Sequence, residues 1–102
     1  MRSERARACD ISPKVKHKVW DRDEHLCVVC GRNYDVMPNA HFIRRSQGGL
    51  GIEQNVVTLC QECHRKFDFE HDAVIEDSIR DYLISCYPDW DEEELYFRKW
   101  DF

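Results

Sequence analysis

The chain has 102 residues and a formal net charge of −5, with 34% charged and 42% hydrophobic residues. That length makes a single small domain with a real but marginal core, a size at which a structural metal adds a great deal. No apolar run approaches the roughly 20 residues that cross a bilayer. The charged start MRSERARACD is followed by no apolar stretch, which argues against a secretory signal and for the cytoplasm.

The charge is unevenly spread. Residues 1–66 carry 12 Lys/Arg against 8 Asp/Glu, a local +4, whereas residues 67–102 carry 3 against 12, a local −9. Binding a polyphosphate needs local positive charge rather than a positive total. The negative total therefore does not exclude a nucleic-acid partner for the first part of the chain.

In chain order, residues 1–10 mix arginines with small and acidic residues and show no apolar period. They read as a disordered terminus, or as an arm touching a nucleic-acid backbone. Ser12 and Pro13 then read as the cap and first position of a helix over about residues 12–24. Val15, Val19 and Trp20 lie on one face of it, and Trp20 is expected in the core. The segment Leu26 to Gly31 reads as a tight knuckle, with Gly31 relieving the backbone. Strand character follows over residues 35–43 and 55–59, separated by a glycine-rich loop at Gly48, Gly49 and Gly51, which suggests an antiparallel hairpin. Residues 61–69 read as a helix. Asp72 caps another, with Ile75, Ile79, Tyr82 or Leu83, and Cys86 on one face and Tyr87-Pro88 ending it. Asp91 and Glu94 form a capping-box pattern for a last short helix, with Trp90 and Leu95 as its hydrophobic staple. Tyr96, Phe97, Trp100 and Phe102 make the tail apolar.

Six cysteines in a short chain fit either disulfides or a metal. Four of them form two Cys-x-x-Cys pairs, Cys27 with Cys30 and Cys60 with Cys63, and without an export signal these fit a metal better. Zinc is held tetrahedrally by four thiolates, two from each knuckle, and such a site leaves no position for water, so it is structural. Cys9 and Cys86 remain as free thiols, with Cys86 reading as a small buried hydrophobe.

The stretch NAHFIRRSQGGLGIEQNVVTLCQECHRKFD, residues 39–68, places His41, Asn55 and His64 in order around the glycine-rich turn, with Cys60 and Cys63 directly before His64. Together with the upstream pair, this resembles the HNH endonuclease family over about residues 20–68. The resemblance implies an α+β fold with a small ββα-metal core, an antiparallel hairpin plus helix, carrying zinc knuckles and flanking helices. One domain over residues 1–102 follows: a core of about 20–70, an N-terminal helix of about 12–24 and an acidic helical extension of about 72–102.

The resemblance also implies roles. His41 would be the general base that takes a proton from water attacking phosphorus, a task that suits an imidazole with a pKa near 6.5. Asn55 would hold the histidine loop through its amide and could also touch the metal. His64 would bind a catalytic Mg²⁺ or Mn²⁺. Many family members bear a metal-binding Asp or His before the base, but here that position is Ala40. Asp68, four residues after His64 on the same helix face, is the expected second ligand, and His71 a remote one. Arg44, Arg45, Arg65 and Lys66 are the expected DNA contacts. The implied function is a metal-dependent DNA endonuclease or nickase. Small proteins of this kind resemble those of phage packaging modules, which would add packaging proteins as partners. The alternative is a catalytically inactive, zinc-stabilised nucleic-acid-binding module, which Ala40 favours.

Overall fold

The computed structural model describes residues 3–99. The expected disordered terminus is instead a helix, α1 (Glu4–Cys9), because Ser3 caps it by accepting from the Ala6 N–H. Tertiary contacts hold this short helix in place. The Gly51 N–H donates to the Ala8 carbonyl, and Arg5 reaches the Ser46 carbonyl. A Cβ at Gly51 would stand 2.0 Å from the Asp10 carbonyl oxygen, and one at Gly49 would stand 1.7 Å from that of Ile43. The glycines of the loop are thus there so that backbone can press on backbone.

Helix α2 (Pro13–Arg22) starts as its sequence dictates, with Ser12 Oγ accepting from the Val15 N–H and Pro13 in the first turn. Val19 is its buried residue, while Trp20 is half-buried beside a groove and stacks on His25 rather than filling the core. The first Cys-x-x-Cys knuckle follows, with Gly31 at φ +78°. Strands β1 (Val36–His41) and β2 (Val56–Cys60) pair antiparallel, Val36 opposite Cys60 and His41 opposite Val56. The register slips by one residue between Met37 and Ala40. Such a bulge disturbs the alternation of side-chain direction. All of β2 is buried, in contact with β1, α2 and α3, and its run VVTLC shows no alternation.

Helix α3 (Gln61–Phe69) follows β2 without a loop, and Cys60 is its cap, Sγ accepting from the Cys63 N–H. Helix α4 (Ala73–Cys86) is capped by Asp72 as expected, and it buries Ile75, Ile79 and Leu83 against Phe67 and Leu59. The last element differs from expectation. It is a single 3₁₀ turn, Glu92–Leu95, in which Asp91 accepts from the Glu93 N–H, so the capping box does not form. Trp90 donates to the Gln54 carbonyl, meets Phe42 edge-on and packs against the cluster that Leu95 enters. The expected apolar role of Trp100 and Phe102 lies outside the described residues.

A buried polar network ties these layers together, and nothing in the sequence pattern announced it. Asp23, the C-cap of α2, is 5% exposed. Its carboxylate accepts from Arg22, from the Thr58 N–H of β2 at 2.8 Å and from the Tyr82 hydroxyl of α4 at 2.6 Å. Arg22 also donates to the carbonyls of Glu53 and Val56 and to the Tyr87 hydroxyl. Burial opposes the charge on Arg22, but the hydrogen bond and charge of Asp23 outweigh it and hold the guanidinium firmly protonated.

Candidate active site and metal centre

The hairpin brings the two knuckles together at one end. The ligand atoms of Cys27, Cys30, Cys60 and Cys63 lie within 4.8 Å of one another, with Cys30 and Cys60 sulfurs 3.7 Å apart. Two sulfurs each bonded to one tetrahedral zinc at about 2.3 Å stand roughly 3.8 Å apart, so these four fit such an ion. Burial acts against the Cys27 thiolate, but backbone N–H groups of Cys30, Cys60 and Val29, drawn from both knuckles, outweigh it and bring its pKa down to about 7. The four cysteines are positioned to bind a metal.

On the other side of α3, a cavity of about 290 Å³ is lined by His41, His64, Asp68, Asn39 and the Arg44–Ser46 turn. Position 41 is the end of β1 and position 64 lies in the first turn of α3, so chain geometry aims both at the same space. His64 Nε2 and an Asp68 carboxylate oxygen are 2.8 Å apart, each side chain about one third exposed. Two ligand atoms on one octahedral Mg²⁺ at about 2.1 Å stand roughly 3 Å apart, so the pair fits a divalent ion as well as a simple ion pair.

His41 Nε2 lies 2.8 Å from the Cys9 carbonyl oxygen. A carbonyl only accepts, so Nε2 carries the proton and Nδ1 of the neutral ring keeps its lone pair. Burial lowers the His41 pKa, the Cys9 carbonyl opposes this, and Arg45 adds to the lowering. The imidazole is therefore neutral at neutral pH. The Cys9 contact was missed in the sequence, where residues 1–10 carried no signal beyond composition.

Asn55 is fully buried, and its whole amide is spent on the loop between the strands. Oδ1 accepts from the Ile43 N–H at 2.7 Å, while Nδ2 donates to the carbonyls of Leu50 at 2.8 Å and Ile43 at 3.2 Å. It closes the loop two residues after His41. Ala40 is 1% exposed and packs in the core.

The four expected DNA contacts are engaged within the protein. Arg44 donates to the Phe67 carbonyl, bonds His71 Nδ1 and lies over the Phe67 ring. Arg45 pairs with Asp10 at 2.6 Å, Arg65 with Glu70, and Lys66 with Glu62 at 3.3 Å. His71 is held at the end of α3 by Arg44 and does not line the cavity.

A family model described as HNH endonuclease matches residues 27–79, more than half of the chain. The chain is 33% identical over 54 residues to anaredoxin of Nostoc sp., covering 53% of this chain and 71% of that protein. It is 30% identical over 69 residues to the type IV methyl-directed restriction enzyme EcoKMcrA of Escherichia coli, covering 60% of this chain but 25% of that enzyme. Among the described residues no helix is long and apolar enough to cross a membrane. With its matched region spanning both knuckles, the hairpin and α3, the chain belongs to the HNH endonuclease family.

Proposed function

We propose that the chain is a metal-dependent DNA endonuclease or nickase in which His41 takes the proton from the attacking water, and that the four cysteines hold a structural zinc. The observation that carries the reading is the cavity shared by His41, His64 and Asp68. His41 is neutral, its Nε2 proton is committed to the Cys9 carbonyl, and its Nδ1 lone pair is left to receive a proton. His64 and Asp68 would hold Mg²⁺ or Mn²⁺, and a bound ion supplies positive charge against the phosphate and the leaving oxygen. Asn55 keeps the loop that follows His41 in one shape, which holds the base at a fixed distance from the α3 side chains.

Arg44 and Arg45 line the cavity and would meet a phosphate entering it, and α2 adds further positive charge for the approach of DNA. Lys14 and Lys16 are exposed and have no ion-pair partner among the described residues. Lys16 borders an apolar groove formed with Trp20, Met37 and Pro38. A second groove shares Trp20 and Met37 with it and reaches Asn39 and His64 at the rim of the active cavity. A strand lying along this track would place phosphates near Lys14 and Lys16, and its affinity should fall as salt rises.

The test is supercoiled plasmid incubated with the protein and Mg²⁺ or Mn²⁺. Nicked or linear product is expected, and His41→Ala should keep the fold and zinc while losing about 10²–10⁴-fold in rate. Equal rates for the two proteins would remove His41 as base. One observation favours the non-catalytic alternative of a zinc-stabilised DNA-binding module: Ala40 offers no donor to an ion. That reading predicts salt-sensitive DNA binding with no cleavage under any divalent metal.

A further inference from the structure

Two protein ligands, His64 and Asp68, make a weak hold on a divalent ion, and Ala40 cannot supply a third because its side chain is in the core. The strand itself offers a substitute one position earlier. Asn39 stands two residues before His41, so strand alternation sets both on one face of β1. Asn39 then lines the same cavity as His41, His64 and Asp68, and it also lines the neighbouring groove in company with His64.

The amide of Asn39 is unusual. Its Oδ1 is buried and has no hydrogen-bond partner among the described residues. Native proteins rarely leave such an atom without a partner, and a bound ion is one of the ordinary explanations. Contrast Asn55, sixteen residues on, whose amide makes three hydrogen bonds to backbone. The two asparagines have the same chemistry, but Asn55 is consumed by structure and Asn39 is left uncommitted beside a histidine–carboxylate pair. A carboxamide oxygen is a hard, neutral donor of the kind that suits Mg²⁺ and Mn²⁺.

We infer that Asn39 is the third protein ligand of the divalent ion bound by His64 and Asp68, replacing the donor that Ala40 lacks. This rests on the reading that the cavity takes such an ion. It differs from the role of Asp68 in chemistry as well as in place. Asn39 comes from the hairpin and the other two come from α3, so the ion would bridge the two elements across the site.

The experiment measures Mn²⁺ binding directly, by the electron paramagnetic resonance signal of free Mn²⁺, on DNA-free, zinc-loaded full chain. Asn39→Ala should weaken Mn²⁺ affinity by at least about tenfold, the loss seen even for groups one shell removed from a metal. Zinc content should not change. Asn39→Asp should tighten the affinity, because a carboxylate replaces a neutral amide. If wild type and His64→Ala bind Mn²⁺ with different affinity but Asn39→Ala matches wild type, the Asn39 assignment is overturned while the divalent site stands. If the wild-type chain takes up no Mn²⁺ at all, the ion-dependent reading falls and this inference with it. Should Asn39→Ala lose its zinc, Asn39→Asp decides alone: tighter binding supports the ligand and unchanged or weaker binding overturns it.

Discussion

Replacing Cys60 by serine is expected to leave the chain without a folded core. Cys60 stands at three junctions at once. It ends β2 opposite Val36, it contributes a sulfur to the four-cysteine cluster, and its Sγ caps α3 by accepting from the Cys63 N–H. Binding of structural zinc by small domains is worth about 10–16 kcal/mol near neutral pH, whereas an entire domain of this kind is stable by only about 5–15 kcal/mol. Loss of tight binding therefore exceeds what hydrophobic packing alone sustains. Circular dichroism should show the collapse of helical signal in Cys60→Ser, and a strong chelator should do the same to the wild type. Acid should act in the same direction, because the thiolates must be deprotonated to hold the ion. Elemental analysis that finds no zinc in a folded, reduced preparation would refute the centre outright.

Removing the Asp23 carboxylate is the second large effect expected, and it needs no metal. In Asp23→Ala the guanidinium of Arg22 stays largely buried without its counter-charge, and the Thr58 N–H and the Tyr82 hydroxyl lose their acceptor. Breaking a buried pair in this way costs about 3–5 kcal/mol. For a domain of this length each kcal/mol lowers Tm by about 4–8 °C, so a fall of more than about 10 °C is expected. Combining Asp23→Ala with Arg22→Met should cost less than the sum of the single changes, because the double variant leaves no unpaired buried charge. Thermal denaturation of the zinc-loaded proteins is the measurement. A Tm for Asp23→Ala within about 2 °C of wild type would show that the network adds specificity and little stability.

The parts of this molecule legible in the sequence are those written in local signals. Ser12 and Pro13 mark the start of α2, Asp72 that of α4, and the paired cysteines declare the metal cluster because thiolate spacing has few other uses. The meeting of His41 with His64 and Asp68 followed from family resemblance and helix periodicity. What stayed hidden depends on contacts between distant residues. The six residues of α1 have no apolar stripe, and their order comes from the loop they dock on rather than from propensity. Arg44, Arg45, Arg65 and Lys66 look like free cations in one dimension, but acidic or carbonyl partners reach them in three. Asp91 and Glu94 satisfy the capping-box pattern, but in the tighter 3₁₀ turn Asp91 accepts from the Glu93 N–H instead of that of Glu94. Asn39 and Asn55 are indistinguishable as letters, and only their surroundings separate them.

The carbonyl of Cys9 on His41 bears on how far this domain can be treated as a portable cassette. The stretch matched across the family begins at residue 27, whereas the atom that fixes which nitrogen of His41 bears the proton belongs to residue 9. Grafting residues 27–79 into another protein would carry over the knuckles, the hairpin and α3, and with them the cysteine cluster. It would leave His41 without the carbonyl that holds the proton on Nε2, so both neutral tautomers and both ring orientations would become open to it. A chimera builder who wants His41 held as it is in this chain must bring the short first helix along, or build an acceptor for it in the host.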